Sequence, residues 1–169
     1  NELIRTKIKE IIGELEDSKK NLYTDNCILN SVLNIKYSAA QVADIKIESN
    51  IFVPKYMNID YGDMGVLFGN LLDNAIEANQ GVDRKKRWIN VSVKYEEHIL
   101  IINIKNSKIR GSRRKKKGYL NHGIGLNSVK QIVEKFNGIV EVQDFGEMYE
   151  VSAILYGICD DKDLGKSVL

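Results

Sequence analysis

A chain of 169 residues, 43% hydrophobic and 28% charged, is long enough for one domain with a true core and has the make-up of an ordinary globular protein. No run of about 18 or more apolar residues occurs, which excludes a membrane span in this sequence, and the charged amphipathic start is no signal peptide. The net charge of +2 hides an asymmetry: residues 107–122 carry Lys108, Arg110, Arg113, Arg114, Lys115, Lys116 and Lys117 with no acid, while the remainder holds 18 basic residues against 23 acidic ones.

Residues 2–22 place Leu3, Ile4, Ile8, Ile11, Ile12, Leu15 and Leu22 at helical spacing. The narrow stripe predicts one member of a helical hairpin or coiled coil, with a core helix of the following domain as the alternative. A second helix is predicted over 26–43, capped by Thr24 or Asp25. Residues 45–53 alternate up to Pro54, the one proline, and predict a strand. Asp60 to Gly65 read as a turn that starts a third helix, which Gly81 ends. Residues 88–95 alternate, with Ile89, Val91, Val93 and Tyr95 on one face. Glu96, Glu97 and His98 form a turn, and 99–105 read as a more buried strand ending at Asn106-Ser107. A helix with the stripe Leu126, Val129, Ile132, Val133 and Phe136 follows, with Gly138 as its C′ stop. Residues 139–143 and 149–156 read as a hairpin around Asp144 to Glu147. This order predicts a two-layer α/β sandwich of the α+β class, a mixed and mostly antiparallel sheet with helices on one face, preceded by N-terminal helices. Cys27 and Cys159 lack metal-type spacing and read as reduced thiols of a cytosolic setting. A chain opening on Asn1 is expected to be a fragment or a processed product.

The third helix carries the chemistry. At about 100° per residue, Asn70, Asp73, Asn74 and Glu77 share an arc of roughly 100°, while Leu67, Phe68, Leu71, Leu72, Ala75 and Ile76 fill the other side. Asn70 and Asn74 stand four apart and stack on one face. Amide oxygens are hard, neutral ligands suited to a Mg²⁺ that already carries a phosphate chain. Downstream, Gly123-Ile124-Gly125-Leu126 puts two glycines at a helix N-terminus, where free N–H groups favour phosphate. It is no dinucleotide fingerprint, since position 128 is Ser, and Gly165-Lys166-Ser167 is no P-loop, since position 160 is Asp. A single concentrated basic loop suits a nucleotide triphosphate. Nucleic acid is not expected as a partner, because only Tyr119 interleaves with the charges.

An Asn-Asp-Asn-Ala-Ile-Glu-Ala helix, a buried strand ending on a polar residue, a basic loop and then Gly-x-Gly-Leu opening a helix resembles, over residues 45–156, the GHKL nucleotide-binding superfamily. That group spans sensor histidine kinases, type II topoisomerase ATPases, mismatch-repair ATPases and a heat-shock chaperone family. The resemblance implies a Bergerat-type ATP-binding fold. It makes Asn74 the Mg²⁺ ligand, with Asn70 supporting metal and phosphates as its catalytic companion. It makes Gly123 and Gly125 hinges of a mobile nucleotide lid over residues 107–122. His122 borders that lid, and Leu126 follows the glycines in the nucleotide-binding segment. Hydrolysing relatives carry a Glu where this chain has Asn70, and an amide cannot take a proton from water. Transfer to a positioned acceptor remains open, which points to a kinase. The usual acidic-glycine box after the strand is replaced by Asn106-Ser107-Lys108-Ile109, so Asn106 stands where the adenine-binding Asp would be.

These departures, together with Asn-Leu-Leu-Asp-Asn-Ala-Ile-Glu-Ala and His-Gly-Ile-Gly-Leu, resemble the peptide-quorum-sensing and VirS-type sensor histidine kinases. The resemblance implies three parts: a helical segment of the dimerisation and phosphoacceptor hairpin over 1–43, the ATP-binding catalytic domain over 44–158 and a polar tail over 159–169. It implies a cytoplasmic domain of a bacterial membrane protein, whose spans lie in a missing N-terminal sensor. Its partners would be ATP, the phosphoacceptor hairpin, a response regulator and, in full length, a second copy. Neither His98 nor His122 has the helical setting of an acceptor, so the γ-phosphoryl would go to a histidine outside this chain. The alternative is an anti-sigma-type Ser/Thr kinase or switch protein of the same superfamily.

Overall fold

Residues 27–42 are helical because Leu29, Leu33, Tyr37 and Ala40 recur on one side and all four are buried. This helix, α1 (Cys27–Val42), belongs to a computed structural model that describes residues 21–111 and 122–159, with the side chains of 122–124 outside that description. Its cap is Asn26, not Thr24 or Asp25: the Asn26 side chain accepts from the Leu29 N–H at 3.0 Å. Thr24 instead accepts from the Asn26 N–H at 3.3 Å and shapes the approach. The helix expected over 2–22 falls mostly on residues outside the description, as do 112–121 of the basic loop and the tail beyond 159.

The chain continues through β1 (Lys46–Phe52), α2 (Tyr61–Ala78), a short 3₁₀ turn (Arg84–Lys86), β2 (Trp88–Glu96), β3 (Ile99–Ser107), α3 (His122–Lys135), β4 (Ile139–Asp144) and β5 (Met148–Tyr156). The sheet runs β1-β2-β3-β5-β4. β1 pairs parallel to β2, and the other pairings are antiparallel. This is the mixed, mostly antiparallel sheet of the expected α+β sandwich.

Register aligns the core rows across the strands. Ile51, Val93, Ile102, Ala153 and Val140 form one row, and Ser49, Val91, Ile104, Val151 and Val142 the next. The β2, β3 and β5 members of these rows are buried, and they meet Leu67, Phe68, Leu71 and Leu72 of α2 and Val129, Ile132 and Val133 of α3 in one core. On the other face of the sheet no described element packs, and Ile101 and Phe52 are exposed there. β3 alternates and is more buried than β2, as its sequence suggests.

Three boundaries differ from expectation for local reasons. Asp60 caps α2 by accepting from the Gly62 N–H at 2.8 Å, so the stretch read as a turn is already helix. The helix stops at Ala78, and Gly81, with φ +87°, serves the turn beyond it. At the end of α3 the left-handed residue is Asn137, with φ 51°. Gly138 is needed for another reason: a Cβ there would lie 2.1 Å from the Ile154 carbonyl oxygen. The β2–β3 turn is built as read, with Glu97 and His98 both left-handed at φ 49° and 66°.

Candidate functional site

The polar face of α2 divides between two neighbours. Asp73 turns to α1, where the Lys36 ammonium meets both its carboxylate oxygens at 2.7 Å. Glu77 is exposed. Of the four polar residues expected to aim at one cleft, Asn70 and Asn74 are left to define it. Asn74 is 9% exposed, and its Nδ2 is buried with no hydrogen-bond partner among the described residues. An unmet buried amide costs about 1–3 kcal/mol, a cost that an outside hydrogen-bond acceptor would remove.

The start of α3 comes to the same place. A Cβ built on Gly125 would lie 3.3 Å from Oδ1 of Asn70, so the missing side chain lets the helix start approach the amide. Both glycines of the Gly-x-Gly segment lie in the first turn of α3. That turn is where backbone N–H groups lack helical partners. Leu126 is half-buried on this helix. The description covers the backbone of His122 and Gly123, and the further expectation for the His122 side chain lies outside it.

Asn106 is the third component. Its register partners are Ile89 and Tyr149, which place it on the helix-facing side of the sheet at the end of β3. It is 1% exposed, and its Nδ2 donates to the Ser107 carbonyl at 2.9 Å. The strand runs through Ser107, so Asn106 and Ser107 are strand residues and not the beginning of the loop.

Sequence reasoning missed the group that holds this end of β3. Asn79, fully buried, donates from Nδ2 to the Ala75 carbonyl at 2.9 Å and to the Trp88 carbonyl at 3.3 Å. Its Oδ1 accepts from the Ser107 hydroxyl at 2.5 Å. The Trp88 N–H in turn donates to Ser107 Oγ at 3.0 Å. A signal was present: at about 100° per residue Asn79 falls opposite Asn70, a polar side chain on the apolar side of the helix. Lys108, just after β3, pairs with Asp144 at the β4–β5 turn. That contact and the Gly146 N–H hold the Asp144 carboxyl below its ordinary range.

The arrangement fits a magnesium-bound nucleotide on the chemistry of its donors. It offers the amide oxygens of Asn70 and Asn74, a buried amide N–H unmet among the described residues, and a first helix turn in which Gly125 carries no Cβ beside Asn70.

Comparison with known proteins bears on the family and the fold. Residues 59–155 match the model of the GHKL domain family. A "Probable C4-dicarboxylate sensor kinase" of Bacillus subtilis (strain 168) is 32% identical over 95 residues, covering 50% of this chain and 18% of that protein. The chain thus spans less than a fifth of this curated relative. Among solved structures, a nucleotide-free form of the catalytic domain of the histidine kinase ThkA superposes with TM-score 0.61 at 15% identity, over 78% of this chain and 91% of that one. The Acinetobacter baumannii histidine kinase AdeS gives 0.56 at 15% identity, over 78% and 64%. At such identities these likenesses speak for the fold alone. The sheet order, the Asn-bearing helix, the Gly-x-Gly helix start and the family match over more than half the chain agree: this chain belongs to the GHKL domain family and has the fold of histidine-kinase catalytic domains.

Proposed function

We propose that this is the ATP-binding catalytic domain of a sensor histidine kinase, binding Mg²⁺–ATP and passing the γ-phosphoryl group to a histidine on a separate hairpin. The observation that carries the reading is the buried, unpaired amide of Asn74, one helical turn from an Asn70 that abuts Gly125. Asn74 Oδ1 would hold the metal and Asn70 would support the metal and phosphates. The free N–H groups of the first α3 turn, around Gly123 and Gly125, would receive phosphate oxygens. His122 and Leu126 would border the nucleotide, and Asn106 would meet the base. The metal supplies charge neutralisation on the phosphates. The chain's own residues supply position, which is most of what phosphoryl transfer needs.

Asn70 sets the choice of acceptor. An amide cannot accept the proton of an attacking water, so hydrolysis is disfavoured against transfer to a nucleophile delivered to the cleft. A response regulator would take the phosphoryl group next. The B. subtilis relative, by its name a sensor kinase, supports a place in two-component signalling and a link to a membrane sensor. No described helix is long and apolar enough to cross a membrane. The lack of an acidic-glycine box favours the quorum-sensing and VirS-type subgroup. Residues 1–43 are proposed to be a helical segment of the dimerisation and phosphoacceptor hairpin. Their last part, α1, is built into the domain's own core. The test is calorimetry with Mg²⁺ and a non-hydrolysable ATP analogue. Asn74→Ala should weaken binding by about tenfold or more, the scale of losses around a bound metal. Unchanged affinity and unchanged phosphotransfer would overturn the assignment.

A further inference from the structure

We infer that the buried pair Asn79–Ser107 determines which purine the domain accepts, by orienting the amide of Asn106. The inference rests on the nucleotide reading above and adds the specificity device. An asparagine amide is ambivalent: one end donates and the other accepts, and half a turn of the side chain exchanges them. A carboxylate at this position would accept with either oxygen. With Asn106 the choice of base depends on what holds the amide in one orientation.

The contacts supply that hold. Asn106 Nδ2 is committed to the Ser107 carbonyl at 2.9 Å, and among the described residues no group donates to its Oδ1. The oxygen is thus the end left for a ligand. Ser107 is held by the sheet, in register with Met148, and its hydroxyl ties it further, donating to Asn79 Oδ1 at 2.5 Å and accepting from the Trp88 N–H at 3.0 Å. Asn79 is tied to α2 and to β2 through the Ala75 and Trp88 carbonyls. The end of α2, the start of β2 and the end of β3 are therefore joined at one buried point. A buried acceptor at Asn106 whose donor end is already committed suits the exocyclic amine of adenine. It opposes the oxo group that guanine and hypoxanthine carry at the same ring position. Asn79 and Ser107 act here as positioning residues, through Asn106.

The experiment measures, for each protein, the ratio of affinities for Mg²⁺-bound non-hydrolysable ATP and its inosine counterpart. A site built around a hydrogen bond rejects an analogue lacking the partner group strongly. The wild-type chain should prefer adenine by on the order of tenfold or more. Ser107→Ala and Asn79→Ser each remove one side of the pin and should bring the ratio to within about threefold of unity. Because the ratio is taken within one protein, a lower folded fraction affects both nucleotides alike. Adding Asn106→Asp to Ser107→Ala should restore the adenine preference, since a carboxylate has no donor end to present. A merely structural role for the pin would leave the ratio unmoved. A wild-type ratio in both pin variants, or no restoration by Asn106→Asp, overturns the inference while leaving the nucleotide site intact. A wild-type chain that binds neither nucleotide overturns the nucleotide reading and this inference with it.

Discussion

Single residues in this domain are decided by whether their polar atoms are met. Asn74 is buried with an amide N–H that nothing in the described chain satisfies, whereas Asn79, at the C-cap of the same helix, has both ends of its amide bonded. Under the proposed function the first is a place for a ligand, and the second joins α2 to the sheet through its own bonds. Tyr37 shows the same logic in its ionisation. It is 4% exposed between α1 and β1, and burial, opposed in part by Ser49, pushes its hydroxyl up to about 12. A raised value means that the neutral form is the one the fold favours. Stability from this group is complete below the ordinary tyrosine range near 10 and is lost as pH rises toward 12. The full difference is about 2–3 kcal/mol. Thermal unfolding from pH 9 upward should show it, and Tyr37→Phe should flatten that dependence while leaving the neutral-pH melting point nearly unchanged. An equal alkaline loss in Tyr37→Phe would rule Tyr37 out as its source.

At the level of elements, the site depends on close approaches between them. α3 reaches α2 through Gly125, and it returns to the sheet through Gly138. The second contact has no slack: a Cβ at residue 138 would meet the Ile154 carbonyl oxygen at 2.1 Å and Val133 Cγ1 at 2.8 Å. Backbone on one side and a core side chain on the other leave nothing cheap to move. Gly138→Ala should therefore destabilise the domain by about 3 kcal/mol, at the upper end of overpacking costs. Urea unfolding would measure it, and a midpoint matching the wild type would refute the packing argument. The Lys36–Asp73 pair between α1 and α2 is different in kind. Its partners are 24% and 49% exposed, so its stabilising effect is small. Its consequence is to draw one carboxylate away from the Asn70–Asn74 cleft.

For the whole molecule, His98 is the one histidine whose side chain is described, and it lies away from the Asn70–Asn74 cleft. His98 sits in the β2–β3 turn, with its Nδ1 3.3 Å from the Ile158 carbonyl oxygen, on an element built for a tight reversal. Under the proposed function, the chain incubated alone with γ-labelled ATP should show little self-labelling and slow hydrolysis. Given the family's phosphoacceptor hairpin as a separate chain, it should transfer label in trans. That transfer should be slow, because tethering contributes much of the orientation. Acid-labile labelling of His98 or His122 at the rate of an intact kinase would contradict this reading.

Much of this was legible along the chain because it is periodic. The alternation of 88–95 and the stripe of 126–136 state which side is buried, and the order of elements then restricts the fold to a sheet covered on one face. Asn70 and Asn74 were legible for the same reason, since four residues is a distance the helix itself sets. What escaped was set between elements. Asp73 and Asn74 are sequence neighbours on the same polar arc, yet one pairs with Lys36 and the other stays unmet. That division depends on where α1 lies, and helical spacing says nothing of it. Asn26 displaced Thr24 and Asp25 as the cap because backbone direction chose among three adjacent side chains able to accept. Asn79 and Ser107 lie 28 residues apart. Their bond exists because the sheet register brings the end of β3 to the end of α2, and a hydrogen bond across that gap is visible only once the strands are paired.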